Sequence, residues 1–264
     1  MSELLAGKTA LVLGVANKWS LAYAIAQAFS REGAKLILTY QSDRQKLTVE
    51  ELGTALKAHQ VLPCDVSQDA ELDRLTKDLQ SSGAVLDSVV HSIAFANRED
   101  LDGSFVSTSR AGFGLTLDVS AYSLVAVARA VQPLMAPKDH GGGSLITLSY
   151  LGAVRVVQNY NVMGVAKAAL EATVRYLASD LGPSNIRVNA ISAGPVKTAS
   201  ARAVRDFSKM LGSFAQLAPL RRNTDPAEVG DAAVFLASHL GRGVTGNVLY
   251  VDAGFQIMGL AYPE

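Results

Sequence analysis

The chain has 264 residues, 49% of them hydrophobic, with 24 basic and 24 acidic side chains and a net charge of zero. That balance excludes broad electrostatic attachment to nucleic acid or to an anionic membrane and leaves room only for local basic patches. The single cysteine, Cys64, has no internal disulfide partner, which suits a reducing cytoplasm, and it reads most simply as a small buried hydrophobe.

Residues 1–8 lack the charged-then-apolar pattern of a signal peptide. No apolar run approaches the ~20 residues of a membrane span, so no membrane insertion is expected. The rhythm from there on is strand, then helix. Thr9-Ala10-Leu11-Val12-Leu13-Gly14 is a continuous apolar run, as expected of a strand buried on both faces, and a helical pattern covers about 20–31. Strands are predicted at 35–40, 60–65, 86–91, 144–149, 186–191 and 248–252. Helices are predicted at 43–57, 69–80, 121–135, 160–181 and from Pro226 onward, where Asp225 supplies a cap. Gly141-Gly142-Gly143 is a flexible break, and Gly182-Pro183 stops the helix before it.

Alternating strands and helices imply parallel strands joined by right-handed crossovers. The expected fold is a single doubly wound α/β (Rossmann) domain over 1–264, a seven-stranded parallel sheet with helices on both faces. The irregular stretch at about 193–224 follows a strand's carboxyl end, where such folds bind ligands, and reads as a substrate-binding lid.

Gly14-Val15-Ala16-Asn17-Lys18-Trp19-Ser20-Leu21-Ala22 links the first strand to the first helix, where a dinucleotide fold presents helix N–H groups to a pyrophosphate. The usual second and third glycines are absent; Ser20 and Ala22 stand near those places. Strand two ends without an acidic residue for a ribose 2′-hydroxyl. Gln41 stands there, and Arg44 or Lys46 leaves NADPH open as a cofactor beside NADH, unless both are solvated helix charges. Asp65 either holds an adenine amino group or caps the following helix.

Tyr160 and Lys167 lie seven positions apart, almost two helical turns, so a phenol and an ammonium leave one face about 10 Å apart. The ammonium can grip sugar hydroxyls and lower the phenol's pKa, while the phenol gives a proton or a hydrogen bond. Ser149 and Tyr150 end the preceding strand and are expected to face the same crevice. Tyr150 alone reads equally as a half-buried aromatic. His91 reads as core or backbone support; His59, His140 and His239 read as surface residues, and no metal site is indicated.

These residues carry a resemblance. Over essentially its whole length the chain resembles the short-chain dehydrogenase/reductase superfamily, and within it the bacterial enoyl-acyl-carrier-protein reductases. Commoner members pair a Tyr with a Lys four residues later and a Ser thirteen before; here those places hold Gly164 and Thr147. The enoyl reductase branch has a Tyr ten before the active Tyr and a Lys seven after, as do Tyr150, Tyr160 and Lys167. Leu148-Ser149-Tyr150-Leu151-Gly152-Ala153, Asn159-Tyr160-Asn161-Val162-Met163-Gly164 and Asn189-Ala190-Ile191-Ser192-Ala193-Gly194-Pro195 are similar to that branch. Ala94 stands where many members have Gly, and its methyl would narrow the room near a nicotinamide.

The resemblance implies reduction of the trans-2 double bond of enoyl thioesters on acyl carrier protein by an NADH-dependent enzyme, with Tyr150, Tyr160 and Lys167 catalytic. Gln41, without a basic neighbour directly after it, looks like the NADH-using members. Gly14, Ser20 and Leu21 would line the pyrophosphate turn, Gln41, Asp65 and Val66 the adenosine, and Ile93 the underside of the cofactor. Lys167 would hold the nicotinamide ribose, and Val196, Lys197, Thr198, Ala199 and Ser200 would close over it. Ala96, Tyr150, Tyr160, Met163, Phe207 and Met210 would contact the substrate. Arg202, Arg205, Lys209, Arg221 and Arg222 either steer the acidic carrier or form a solvated face. A homotetramer is implied as well.

Overall fold

A computed structural model describes residues 3–198 and 206–259. Seven strands form one sheet in the order β3-β2-β1-β4-β5-β6-β7. They are β1 Thr9–Leu13, β2 Lys35–Tyr40, β3 Gln60–Pro63, β4 Ser88–His91, β5 Gly143–Ser149, β6 Ile186–Ala193 and β7 Val248–Val251. Every pairing is parallel, from Thr9 opposite Lys35 to Ala193 opposite Val251. The order reverses direction at β1, where β2 and β4 flank it, and that reversal opens a crevice at the strands' carboxyl ends.

The strands are apolar on both faces because helices cover both. On one side α1 (Leu21–Arg31), α2 (Asp43–Ala55) and α9 (Pro226–Ala237) close a core around Ile25, Phe29, Val49, Val229 and Leu236. On the other, α3 (Asp69–Ser81), α6 (Ser123–Val131) and α7 (Asn161–Leu181) close a core around Leu75, Leu124, Leu170 and Val174. Each such fully buried side chain contributes about 1.5–3 kcal/mol. The remaining helices α4 (Arg98–Leu101) and α5 (Arg110–Leu117) follow the carboxyl end of β4 in the chain, and α8 (Phe207–Leu217) follows that of β6.

Sequence signals set several boundaries. Ser20 caps α1 by accepting from the Tyr23 N–H at 3.2 Å. Asp225 and Glu228 form a reciprocal capping box at α9, with Pro226 in its first position. Beyond α7, Gly182–Ser184 tightens into a 3-10 turn and Asn185 takes a left-handed conformation.

Three expectations need correction. The helix placed at 121–135 begins eleven residues earlier, at Arg110, and passes through a π turn at Asp118–Tyr122 before α6. Gly112, Gly114 and Asp118 blur its apolar period, which explains the late start. By length and composition the run Arg110–Leu134 could cross a membrane, contrary to the apolar-run expectation; half of its most apolar stretch is buried in the protein, as in a core helix. The strand expected from residue 86 starts at Ser88, and Leu86 makes only a lone bridge to Met135.

Candidate active site

The crevice begins at Gly14. Its φ of +95° is a left-handed conformation, and an added Cβ would run into the Ser92 carbonyl. The chain turns here against β4's exit with no room for a side chain, which is the close approach a pyrophosphate turn needs. Ser20 and Leu21 then begin α1. Beside Ser20 a cavity of about 610 Å³ runs along α1 to the start of α9 and is lined by Lys18, Ser20, Arg31, Val196, Lys197 and Asp225 among others, so three cationic residues and one carboxylate share a concavity with the α1 N-terminus.

At the far end, Gln41 is exposed and donates from Nε2 to Asp65 Oδ2 at 3.2 Å. Asp65 Oδ1 accepts from the Ser67 N–H at 3.0 Å and the Ser67 hydroxyl at 2.8 Å. Burial acts to raise the Asp65 carboxyl, but the bonds from Ser67 and Gln41 prevail and hold it below its usual range. The capping alternative fails, because α3 begins after Gln68. Val66 is buried in the core beside it. Arg44 and Lys46 are exposed on α2. Ile93, just past β4, packs against the core beneath the crevice.

The middle of the crevice is partly closed to water, with Tyr150 and Tyr160 half-buried. Tyr160 sits at the N-terminal flank of α7, between Asn159 and Asn161, both at positive φ. Its ring meets Tyr150 edge-on, centroids 5.0 Å apart. Burial, and then Tyr150, push the Tyr160 phenol above its ordinary value. The expected lowering by Lys167 is not found, since both causes of the shift act upward, and Tyr160 stays a neutral donor. Burial raises Tyr150 to about 12, and its hydroxyl reaches Met210 Sδ on α8 at 3.5 Å. Tyr160, Ala96 and Leu117 all pack against one small apolar cluster of Leu101, Met163 and Ala166, which gathers two residues expected at the substrate, Ala96 and Met163, near the phenol. Phe207 lies one turn before Met210 on α8.

Lys167, 6% exposed, donates to the Leu148 carbonyl at 2.8 Å. Burial pulls its pKa down to about 8, against the opposing pull of Glu171. Ser149 departs from expectation: its side chain turns inward and donates to Glu171 Oε1 at 2.5 Å instead of lining the crevice.

The glycines explain the tyrosine–lysine spacing. A Cβ at Gly164, where a four-residue pair would carry its Lys, would stand 2.9 Å from the Gly152 carbonyl. A Cβ at Gly152 would press on the Tyr160 ring at 2.5 Å. Thr147, thirteen before Tyr160, is buried and donates to the His91 carbonyl at 3.1 Å. His91 itself contacts the Thr147 and Ser123 hydroxyls at 3.0 and 2.8 Å, and burial, then Lys167, lower it to about 3. It is a neutral core residue, as expected.

Comparison with known proteins decides the family. The enoyl-(acyl carrier protein) reductase model matches residues 14–256. The chain belongs to that enoyl-(acyl carrier protein) reductase family. The reductase is 53% identical to the NADH-type enoyl-acyl-carrier-protein reductase of Bacillus cereus, over 97% of this chain and 100% of that one. The crystal structure of the Aquifex aeolicus NADH enzyme superposes with a TM-score of 0.94 at 46% identity, covering 98% of this chain and 100% of that one. That of the Anaplasma phagocytophilum enzyme in complex with NAD gives 0.91 at 46%, covering 97% and 95%.

In the reductase, Val196 is half-buried, Lys197 is exposed, and the Thr198 N–H bonds the Val196 carbonyl at 2.8 Å. Ala199, Ser200, Arg202 and Arg205 lie outside the described residues. Lys209 pairs with Asp206 at 3.0 Å, Arg222 pairs with Glu228, and Arg221 donates to the Gln216 carbonyl. Among the described residues no group of acids, histidines and cysteines is placed to hold a metal ion. Sequence reading missed Gly152 and Glu171; Gly152 lay inside a motif already singled out, and Glu171, four residues after Lys167, carried the helical spacing that would have found it.

Proposed function

We propose that this protein reduces the trans-2 double bond of enoyl-acyl-carrier-protein thioesters, the last reductive step of type II fatty-acid elongation, with NADH as the reductant and Tyr150, Tyr160 and Lys167 as the catalytic group. The observation that carries the reading is the half-buried Tyr160 phenol, held neutral with its ring edge-on to Tyr150, and a buried lysine two turns further along α7.

The residues fit a dinucleotide laid across the strand ends: a side-chain-free turn at Gly14, the α1 N-terminus with Lys18 and Lys197, and the Gln41–Asp65 pair. Bound there, NADH would supply a hydride to C3 of the substrate, and a proton taken up at C2 would complete the reduction. Lys167 would hold and orient the nicotinamide ribose. Tyr160 donates a hydrogen bond to the thioester oxygen as negative charge gathers on it, and Tyr150 and Met163 keep water away from that oxygen. Ala96, Phe207 and Met210 border the acyl chain, and the segment 193–224 acts as a lid of the single domain. The carrier approaches past α8, where Lys209 and Arg221 are exposed. The lone buried thiol suits the cytoplasm. Exposed Leu115, Tyr122, Val165 and Tyr176 on neighbouring helices favour self-association as a homotetramer.

The deciding experiment follows loss of nicotinamide absorbance with crotonyl-thioester, in parallel with NADH and NADPH. Rapid loss with NADH is expected; no loss with either cofactor would reject the reading.

A further inference from the structure

Glu171 is a buried carboxyl with no part in the chemistry above. It is 6% exposed and lies one helical turn beyond Lys167 on α7. Two consecutive residues of β5 meet this pair: the Leu148 carbonyl accepts from Lys167 Nζ at 2.8 Å, and the Ser149 hydroxyl donates to Glu171 at 2.5 Å. Tyr150 follows directly. The end of β5 is thus tied to α7 at two rungs, one cationic and one acidic, immediately before the tyrosine of the site.

We infer that Glu171 is a positioning residue for Lys167: its carboxylate, fixed by Ser149, keeps the buried ammonium charged and aimed at the crevice. A buried ammonium beside only a neutral carbonyl and a neutral imidazole sheds its proton easily, and a carboxylate one turn away opposes that loss. Among the described residues, the titratable groups facing the pair are His91, Arg175 and Tyr250. His91 on β4 interacts with Lys167 and is neutral. Arg175, one turn further along α7, interacts with Glu171, as does Tyr250 on β7, which also senses Asp252 and Arg155. Burial raises the Glu171 carboxyl; the Ser149 bond, Arg175 and Lys167 draw it back.

This inference rests on the assignment of Lys167 to the nicotinamide ribose, and its test separates the two. Glu171→Gln keeps the shape and can still bond Ser149 but carries no charge. NADH affinity of the wild type should fall on the alkaline side as Lys167 loses its proton. In Glu171→Gln that fall should move about one pH unit lower, because an opposing charge has been removed. Ser149→Ala, which frees the carboxylate but keeps its charge, should move the alkaline fall lower by less than Glu171→Gln does. Superimposable profiles for the wild type and Glu171→Gln would overturn the inference. A second reading needs no folded variant of Glu171. With lysine Cε labelled in the wild-type apoprotein, and the signal assigned by its absence in Lys167→Arg, the Lys167 resonance should show an inflection where the carboxyl titrates as well as at its own. A single inflection would count against any coupling. Undiminished NADH affinity in Lys167→Ala would instead reject the ribose assignment, while the apoprotein titration would still decide the Glu171–Lys167 link.

Discussion

The two ends of the crevice are built by different means. Beyond β2 and β3, Gln41 and Asp65 meet in water, and the carboxyl is held low by small neighbouring donors. Beyond β5, Lys167 is buried and Tyr150 and Tyr160 are half-buried, a drier setting in which burial displaces each of their pKa values. A wet end can hold a ligand through exchangeable hydrogen bonds, each a small net gain. A dry end makes each donor count for more, because nothing screens it. The contrast predicts that damage at the dry end appears in turnover, and damage at the wet end in affinity alone.

The largest expected effect is that of Tyr160→Phe. Losing a single donor to developing negative charge costs about 2.7–4 kcal/mol at the transition state. Reduction of crotonyl-thioester should therefore slow by roughly a hundredfold to a thousandfold, with NADH affinity retained. Turnover equal to wild type would remove Tyr160 from the oxyanion role and erase the contrast.

Gly152→Ala comes next. The added methyl meets the Tyr160 ring, so the ring must shift or the loop must yield, at about 1–3 kcal/mol. A roughly tenfold fall in kcat/KM is expected with the cofactor KM unchanged, and wild-type kinetics would mean that the ring tolerates displacement.

His91 tests how dry the core beneath this end is. Its folded pKa, lowered to about 3 from 6.5, means that the unfolded chain binds the extra proton between those values. Stability should accordingly fall as the pH drops below about 6.5, by up to ~1.4 kcal/mol per pH unit. The urea midpoint at pH 7 and pH 5, set against His91→Gln, reads this, and an equal decline in both proteins would place the acid lability elsewhere.

What the sequence made legible follows the same division. Strands appeared because burial on both faces leaves continuous apolar runs, as at β1 and β5. The tyrosine–lysine spacing was visible because helix geometry is regular. Packing was less so. That Ser149 turns inward to Glu171 depends on which face of β5 it occupies, and an apolar run carries no alternation to say so. The role of Gly152 depends on a ring eight residues away in sequence, and the π turn at Asp118–Tyr122 on a helix whose period glycines obscure. The neutrality of Tyr160 came from burial, which no local pattern records.

The smallest expected effect belongs to the wet end. Gln41→Ala removes one exposed donor to Asp65, a bond of 3.2 Å between groups that water serves nearly as well. Its net worth lies near the lower bound for a hydrogen bond, about 0.5 kcal/mol, so NADH affinity should weaken roughly two- to threefold. The kcat at saturating NADH should not change, because the lost contact is the same in the ground and transition states. Titration of cofactor fluorescence, with kcat measured alongside, checks both halves. A fall in kcat would mean that the adenosine end positions the reacting end through the cofactor itself, and the two regions would then have to be treated as one.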